Sequence, residues 1–168
     1  MYQTVKMRSM DLSLREQLVA FFSSPVLAAV VFSWFCAQFI KTLIKLFSGK
    51  VRSLSELLEL LIWRTGGMPS SHSSLVACIC TLVAFRSGFT SDVFILALCF
   101  YLVTVRDAVG VRRASGIQAR TLNEMGRALE QKGLYEFKKI KEVQGHTPLE
   151  VFVGSLLGFF IGVAFSVL

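Results

Sequence analysis

An all-α integral membrane bundle of about four helical spans is the architecture this 168-residue chain predicts, and three features of the sequence predict it. Apolar residues make up 54% of the chain and its mean hydropathy is +0.61, more than a soluble domain of this length needs for a core. The surplus has to face lipid. Those residues also fall in long runs nearly free of charge, and most of the 18 Lys and Arg lie before the first run or between later ones.

The elements follow in order. Residues 1–23 carry Lys6, Arg8, Asp11, Arg15 and Glu16 among apolar residues, the composition of a short amphipathic lead-in at the membrane surface. Pro25 opens a first span to Phe47, roughly 34 Å long as an α-helix and ending on Lys41 and Lys45. That run is too long for the apolar core of a signal peptide and lacks a small-residue cleavage site, so it is expected to remain as an anchor. Residues 54–63, with Glu56 and Glu59, are too short and too charged to cross and read as an interfacial or re-entrant helix. The second and third spans reach roughly 27 Å only when extended to residues 69–86 and 92–109, which takes Ser70, Ser71 and His72 into one helix start and Asp107 into a helix end. In the segment 106–148, Leu122, Met125 and Leu129 form one amphipathic stripe, and Phe137 with Ile140 begins another after Gly133; both are expected to lie on the membrane as an amphipathic cytoplasmic loop. Residues 149–168 make the last span. Gly154, Gly158 and Gly162 line one of its faces and permit close approach of another helix, from the same chain or from a second copy in a homo-oligomer. Residues 1–168 are thus read as a single membrane-embedded domain.

Charge orients the bundle. Four crossings put 41–72 and 106–148 on one side with fourteen Lys and Arg, against four on the other, so the first side is expected to be cytoplasmic. A net charge of +7 and a pI near 9.5 suggest anionic lipid head groups or a phosphorylated substrate before nucleic acid. Cys36, Cys78, Cys80 and Cys99 all sit inside apolar runs without zinc-site spacing, so neither a disulfide nor a metal site is expected from them.

The chain has only two histidines, and both fall at starts of spans on the basic side. Around His72 runs Thr65-Gly66-Gly67-Met68-Pro69-Ser70-Ser71-His72-Ser73-Ser74, a glycine pair followed by hydroxyls and free backbone N–H groups. Such a helix start binds anions, and it is equally the pattern of a capped helix behind a Gly-rich turn. Around His146 runs Gly145-His146-Thr147-Pro148-Leu149-Glu150. Thr147, Pro148 and Glu150 have the spacing of a capping box, which gives Glu150 a structural role; a role in orienting the His146 ring is the functional alternative. Arg106, Asp107, Arg112 and Arg113 follow the third span within eight positions. Arginine forks suit phosphate oxygens, whereas a carboxylate at a helix C-terminus opposes the dipole and needs a partner such as a nearby Arg.

Together these segments resemble the divergent branch of the type-2 phosphatidic acid phosphatase and vanadium haloperoxidase superfamily. The likeness runs from Ala37-Gln38 with Lys41, through the stretch from Thr65 to Ser73 and Asp107-Ala108-Val109-Gly110-Val111-Arg112-Arg113, to Gly145-His146 with Pro148, Glu150 and Gly154. The superfamily's usual Pro-Ser-Gly-His reads Pro69-Ser70-Ser71-His72 here, and its histidine followed four residues later by Asp reads His146 and Glu150. Its Arg usually lies six residues before that histidine, whereas Arg113 lies 33 before His146. The resemblance implies metal-independent transfer of a lipid phosphate or diphosphate through phosphohistidine. On that expectation His146 attacks and His72 protonates the leaving oxygen. Glu150 and Asp107 support them, and Lys41, Gly67, Ser70, Ser71, Arg112 and Arg113 form the phosphate-binding set. No cofactor is expected. A carrier that binds lipid phosphate without turnover, and a scaffold paired through the glycine face, are the competing readings.

Overall fold

A computed structural model describes residues 13–49, 67–142 and 145–167, and among them every regular element is helical. The expected helix at 54–63, together with Thr65 and Gly66, lies outside the described residues. In chain order the elements are α1 (Leu14–Phe22), α2 (Pro25–Phe47), α3 (Ser71–Ser87), α4 (Asp92–Arg106), a π-helical turn (Asp107–Val111), α5 (Arg112–Gln131) and α6 (Pro148–Val167).

Local chemistry explains the boundaries. Ser13 caps α1 in a capping box with Glu16, whose carboxyl the Ser13 hydrogen bonds hold below its ordinary range. Pro25 occupies the first turn of α2, where a missing N–H is harmless. Gly88, at φ +81°, ends α3, and the Ser91 hydroxyl accepts from Phe94 N at 3.2 Å to start α4.

Packing is built on small residues. Ala29, Ser33, Ala37 and Lys41 recur every four positions down the buried face of α2, and Ser33 meets Ser74 of α3 through a 2.8 Å hydroxyl pair. On the other side of α3, a Cβ at Gly154 would overlap the Ser70 carbonyl, one at Gly158 the Ser74 carbonyl, and one at Gly162 would lie 2.7 Å from Thr81 Cβ. The glycine stripe of α6 is therefore packed on α3 of the same chain, and an association of two copies would need a different face. Ala29, Cys78 and Leu82 form the buried apolar centre of the bundle.

The protein is an all-α membrane helical bundle. Pro25–Phe47, the apolar part of Asp92–Gln131 and Pro148–Val167 are each long and apolar enough to cross a bilayer. The 17-residue α3, roughly 26 Å long, packs against α2, α4 and α6 at once, so protein covers much of it. The many exposed large apolar side chains, among them Phe32, Phe39, Leu96, Leu102 and Phe160, are what a lipid-facing surface requires.

Two expectations about 106–148 change. First, the helix does not end near 109: α4, the π turn and α5 form one continuous 40-residue helix, Asp92–Gln131. The stripe at Leu122, Met125 and Leu129 is exposed, but it belongs to a continuation of α4 and not to a separate surface helix. Second, Phe137 and Ile140 are not helical. Gly133, at φ +70°, closes α5, and residues 134–142 run back along it as a non-helical strap. Asn123, fully buried, holds the strap like a ladder rung: its Nδ2 donates to Ile140 O at 2.9 Å and its Oδ1 accepts from Ile140 N at 2.9 Å. The same Nδ2 donates to Glu142 Oε1, and the Phe137 ring lies against Gly126, where any Cβ would overlap it. Satisfying the strap's backbone through one side chain outweighed the weak helical pattern of five residues.

Candidate active site

The site is assembled where four segments meet: the start of α3, the start of α6, the π turn and the last turns of α2. Two backbone hydrogen bonds tie them. Ser70 N donates to Glu150 O at 3.0 Å, joining the two helix starts, and His146 N donates to Ala108 O at 3.2 Å, joining the histidine to the π turn. The fit is close, since a Cβ at Gly145 would overlap the backbone of Arg113.

His146 is buried, with 5% of its surface exposed, and its Nδ1 lies 3.1 Å from Glu150 Oε2. The same oxygen accepts from Thr147 N at 3.0 Å while Glu150 N donates to Thr147 Oγ1 at 3.3 Å, which completes the capping box. One carboxylate oxygen thus makes both the capping contact and the contact with the ring. A carboxylate only accepts, so in the neutral ring this contact places the proton on Nδ1 and leaves Nε2 with its lone pair.

His72 is exposed in the first turn of α3. The Ser71 and His72 N–H groups have no acceptor among the described residues, as expected for the open start of a helix. Arg112, His146, Lys41 and Asp107 all lie near enough to act electrostatically on the His72 ring, so residues far apart in sequence gather around it.

The π turn explains how Asp107 and Arg112 come together. In an α-helix five residues advance about 500°, leaving the two positions on different faces. The wider turn closes i to i+5 bonds, so Arg112 N donates to Asp107 O and Arg112 Nε donates to Asp107 Oδ2 at 2.5 Å. Asp107 has the arginine partner that a carboxylate at this depth needs.

Lys41 is 1% exposed, and its Nζ donates to Gln38 Oε1 at 2.9 Å. Its stem and that of Lys45 pack beside Gly67, which sits at φ +95° and turns the chain into α3. Glu150 is close enough for its charge to act on Lys41, linking α2 to the histidine side of the site.

The structure thus gathers Lys41, Gly67, Ser71, His72, Asp107, Arg112, His146 and Glu150. Two expected members stand differently. The Ser70 hydroxyl is fully buried and engaged as the α3 cap, accepting from Ser73 N at 3.4 Å and Ser73 Oγ at 3.0 Å, so it faces inward. Arg113 meets the site through its backbone at Gly145, and its exposed guanidinium is not among the charges acting on His72. Sequence reading gave no role to Gln38 beyond its place in a motif, although a position one helical turn before Lys41 is where a lysine partner belongs. Among the described residues no three His, Cys, Asp or Glu side chains gather as a metal-ligating set.

Comparison with known proteins places this geometry in context. Residues 22–161 match the model of the Divergent PAP2 family, a span that includes every residue of the site. The chain is also 36% identical over 149 residues to the uncharacterized membrane protein YuiD of Bacillus subtilis (strain 168), covering 80% of this chain and 87% of that protein. No solved structure matches. A family match over most of the length, carrying both histidine segments and the Asp107–Arg113 segment that resembled this branch, makes the chain a membrane protein of the divergent PAP2 family.

Proposed function

We propose that this protein is a membrane phosphatase that hydrolyses a lipid phosphate or diphosphate at the cytoplasmic face, through a phosphohistidine at His146. The observation that carries the reading is the 3.1 Å contact of the buried His146, through Nδ1, with Glu150, in a site where Arg112 and Lys41 are close enough to act on the opposing His72. Family membership supports a phosphatase-like chemistry.

In the first step Nε2 of His146 forms a bond to phosphorus while the bond to the leaving oxygen breaks and His72 gives that oxygen its proton. Arg112, Lys41 and the N–H groups of Ser71 and His72 bind the equatorial oxygens, where charge spreads as the transition state forms. Glu150 stabilises the cationic ring that results. In the second step His72, now neutral, takes a proton from water, water oxygen bonds to phosphorus and the N–P bond breaks. Inorganic phosphate leaves and both histidines return to their starting states.

The test is phosphate release by purified protein from a panel of lipid phosphates, with His146→Ala as control. Release that requires His146 is expected. Phosphate binding without release, from folded protein and across the panel, would replace this reading by that of a lipid-phosphate carrier.

A further inference from the structure

We propose that a cleft beneath the phosphate cup is a chain-binding subsite, which receives the head-proximal part of one hydrocarbon chain of a phosphorylated lipid entering sideways between α4 and α6. The inference rests on the reading of the cup as a phosphate site and adds where the rest of the ligand lies.

The cleft exists because α4 and α6 both pack on α3 far more than on each other. It encloses about 310 Å³, floored by Ala77 and Cys80 of α3 and walled by Leu98 and Tyr101 of α4 and by Ser155 and Leu156 of α6. Three independent counts along the helices set its depth. Ala77 lies six residues past Ser71, Tyr101 six before Asp107, and Ser155 five past Glu150, each roughly 8–9 Å from the cup along its own helix. All three helices therefore place the cleft directly inward of the phosphate-binding residues and within the apolar part of the bundle. Leu98 and Leu156 are both exposed at its edge, so the cleft is open toward lipid and not toward water. Its volume corresponds to roughly ten methylene-sized groups if each takes the room of a water molecule. That fits a segment of one chain and not two side by side.

One polar feature interrupts the lining. Tyr101 Oη donates to Ser155 Oγ at 3.0 Å, bridging α4 and α6. The Ser155 hydroxyl has no acceptor for its own hydrogen among the described residues. The bridge sets the width through which a chain passes.

Equilibrium binding of hexadecylphosphonate and butylphosphonate at fixed detergent mole fraction tests the subsite, because the carbon–phosphorus bond prevents turnover and the two ligands differ only in chain length. The unmutated protein is expected to bind the long ligand at least about tenfold more tightly. Leu98→Trp, at the exposed rim, and Ser155→Phe, within the cleft, should each remove that preference while leaving butylphosphonate binding within about twofold. Equal affinity for both ligands in the unmutated protein, or a preference that survives in Leu98→Trp, would overturn the subsite while leaving the cup intact. Binding of neither ligand would overturn the cup reading and the subsite with it. Should Ser155→Phe lose both ligands through misfolding, Leu98→Trp decides alone.

Discussion

One carboxylate oxygen, Oε2 of Glu150, contacts both His146 Nδ1 at 3.1 Å and the Thr147 backbone N–H at 3.0 Å, so helix capping and histidine orientation are the same interaction seen from two sides. The two roles separate by mutation. Gln also serves at the third position of a capping box, so Glu150→Gln should keep thermal stability within about 1 kcal/mol. It removes the charge that stabilises the cationic ring, so turnover should fall about a hundredfold or more. Thr147→Ala should do the reverse, costing about 1 kcal/mol of stability with most activity retained. Thermal melts beside phosphate-release rates check both. Full activity in Glu150→Gln would reduce Glu150 to a cap.

The strap offers a prediction about pH. Glu142 has its carboxyl held below the ordinary range, first by the Asn123 hydrogen bond and then by Arg120 and Lys139. A carboxyl whose folded pKa is depressed contributes stability above its unfolded pKa and loses it as pH falls through the folded value. Amide exchange across residues 134–142, corrected for its intrinsic pH dependence, should therefore speed up relative to α6 as pH drops below the usual carboxylate range. Glu142→Gln should abolish that dependence, and a strap equally protected at both pH values in the unmutated protein would contradict it.

Asn123→Ala removes both halves of the rung to Ile140 and leaves its N–H and C=O without their protein partners. A loss of about 1–3 kcal/mol is expected from the two hydrogen bonds. Activity should fall as well, because the strap leads to Gly145 and His146 and delivers them to the π turn. Hydrogen exchange in the strap, measured beside turnover, tests whether the two losses go together.

What was legible in the sequence and what was not divides along locality. The capping box at Thr147 and Glu150 and the open helix start at Ser71 and His72 depend on neighbours three or four positions apart, so their spacing announced them. The first and last spans were legible from their unbroken apolar length. That Asp107 needs a nearby Arg was legible, but the choice of Arg112 was not, because five positions do not share an α-helical face and the π turn pairs them. The strap was not, because its backbone partner is Asn123, 17 residues before Ile140, and no local period encodes that contact. The inward turn of the Ser70 hydroxyl was hidden for the same reason: its burial is set by helices that arrive from elsewhere in the chain.

The glycine stripe of α6 gives a prediction about assembly. A Cβ at Gly158 would overlap the Ser74 carbonyl, so Gly158→Ala must push α3 from α6, at about 1–3 kcal/mol or more. His72 lies on α3 and His146 two residues before α6, the two helices that would separate, so activity and folded yield should fall together. The oligomeric state in detergent should not change, since the stripe faces the same chain. A variant that is folded and active but shifted from dimer to monomer would show that the stripe pairs two copies.

Topology is testable from the continuous helix. Ser91 caps the start of α4 and Lys132 follows the end of α5, so the 40 residues between them carry the chain through the membrane and well beyond it. From the charge asymmetry Lys132 is expected on the cytoplasmic side. Single cysteines at Ser91 and Lys132, on a background lacking the four native ones, should react with an impermeant thiol reagent from opposite sides of a sealed cell. Labelling of both from outside would remove this crossing.

The two histidines should fail in different ways. His146→Ala removes the nucleophile, so turnover and any acid-labile phosphoryl-enzyme should vanish together, whatever the substrate. His72→Ala leaves the nucleophile and its carboxylate in place and removes only the proton donor. A poor alkoxide leaving group needs that proton as the bond to phosphorus breaks, whereas an activated aryl oxide leaves with little help. The loss in His72→Ala should therefore be about a hundredfold or more for an alkyl phosphate and only severalfold for an activated aryl phosphate. Breakdown of the intermediate should also slow, because His72 takes the proton from the attacking water, so labelled enzyme should accumulate with the aryl substrate. Rapid-quench experiments with both substrates separate the steps. Equal losses for the two leaving groups in His72→Ala would remove it from the acid's role, and a labelled intermediate persisting in His146→Ala would move the nucleophile elsewhere.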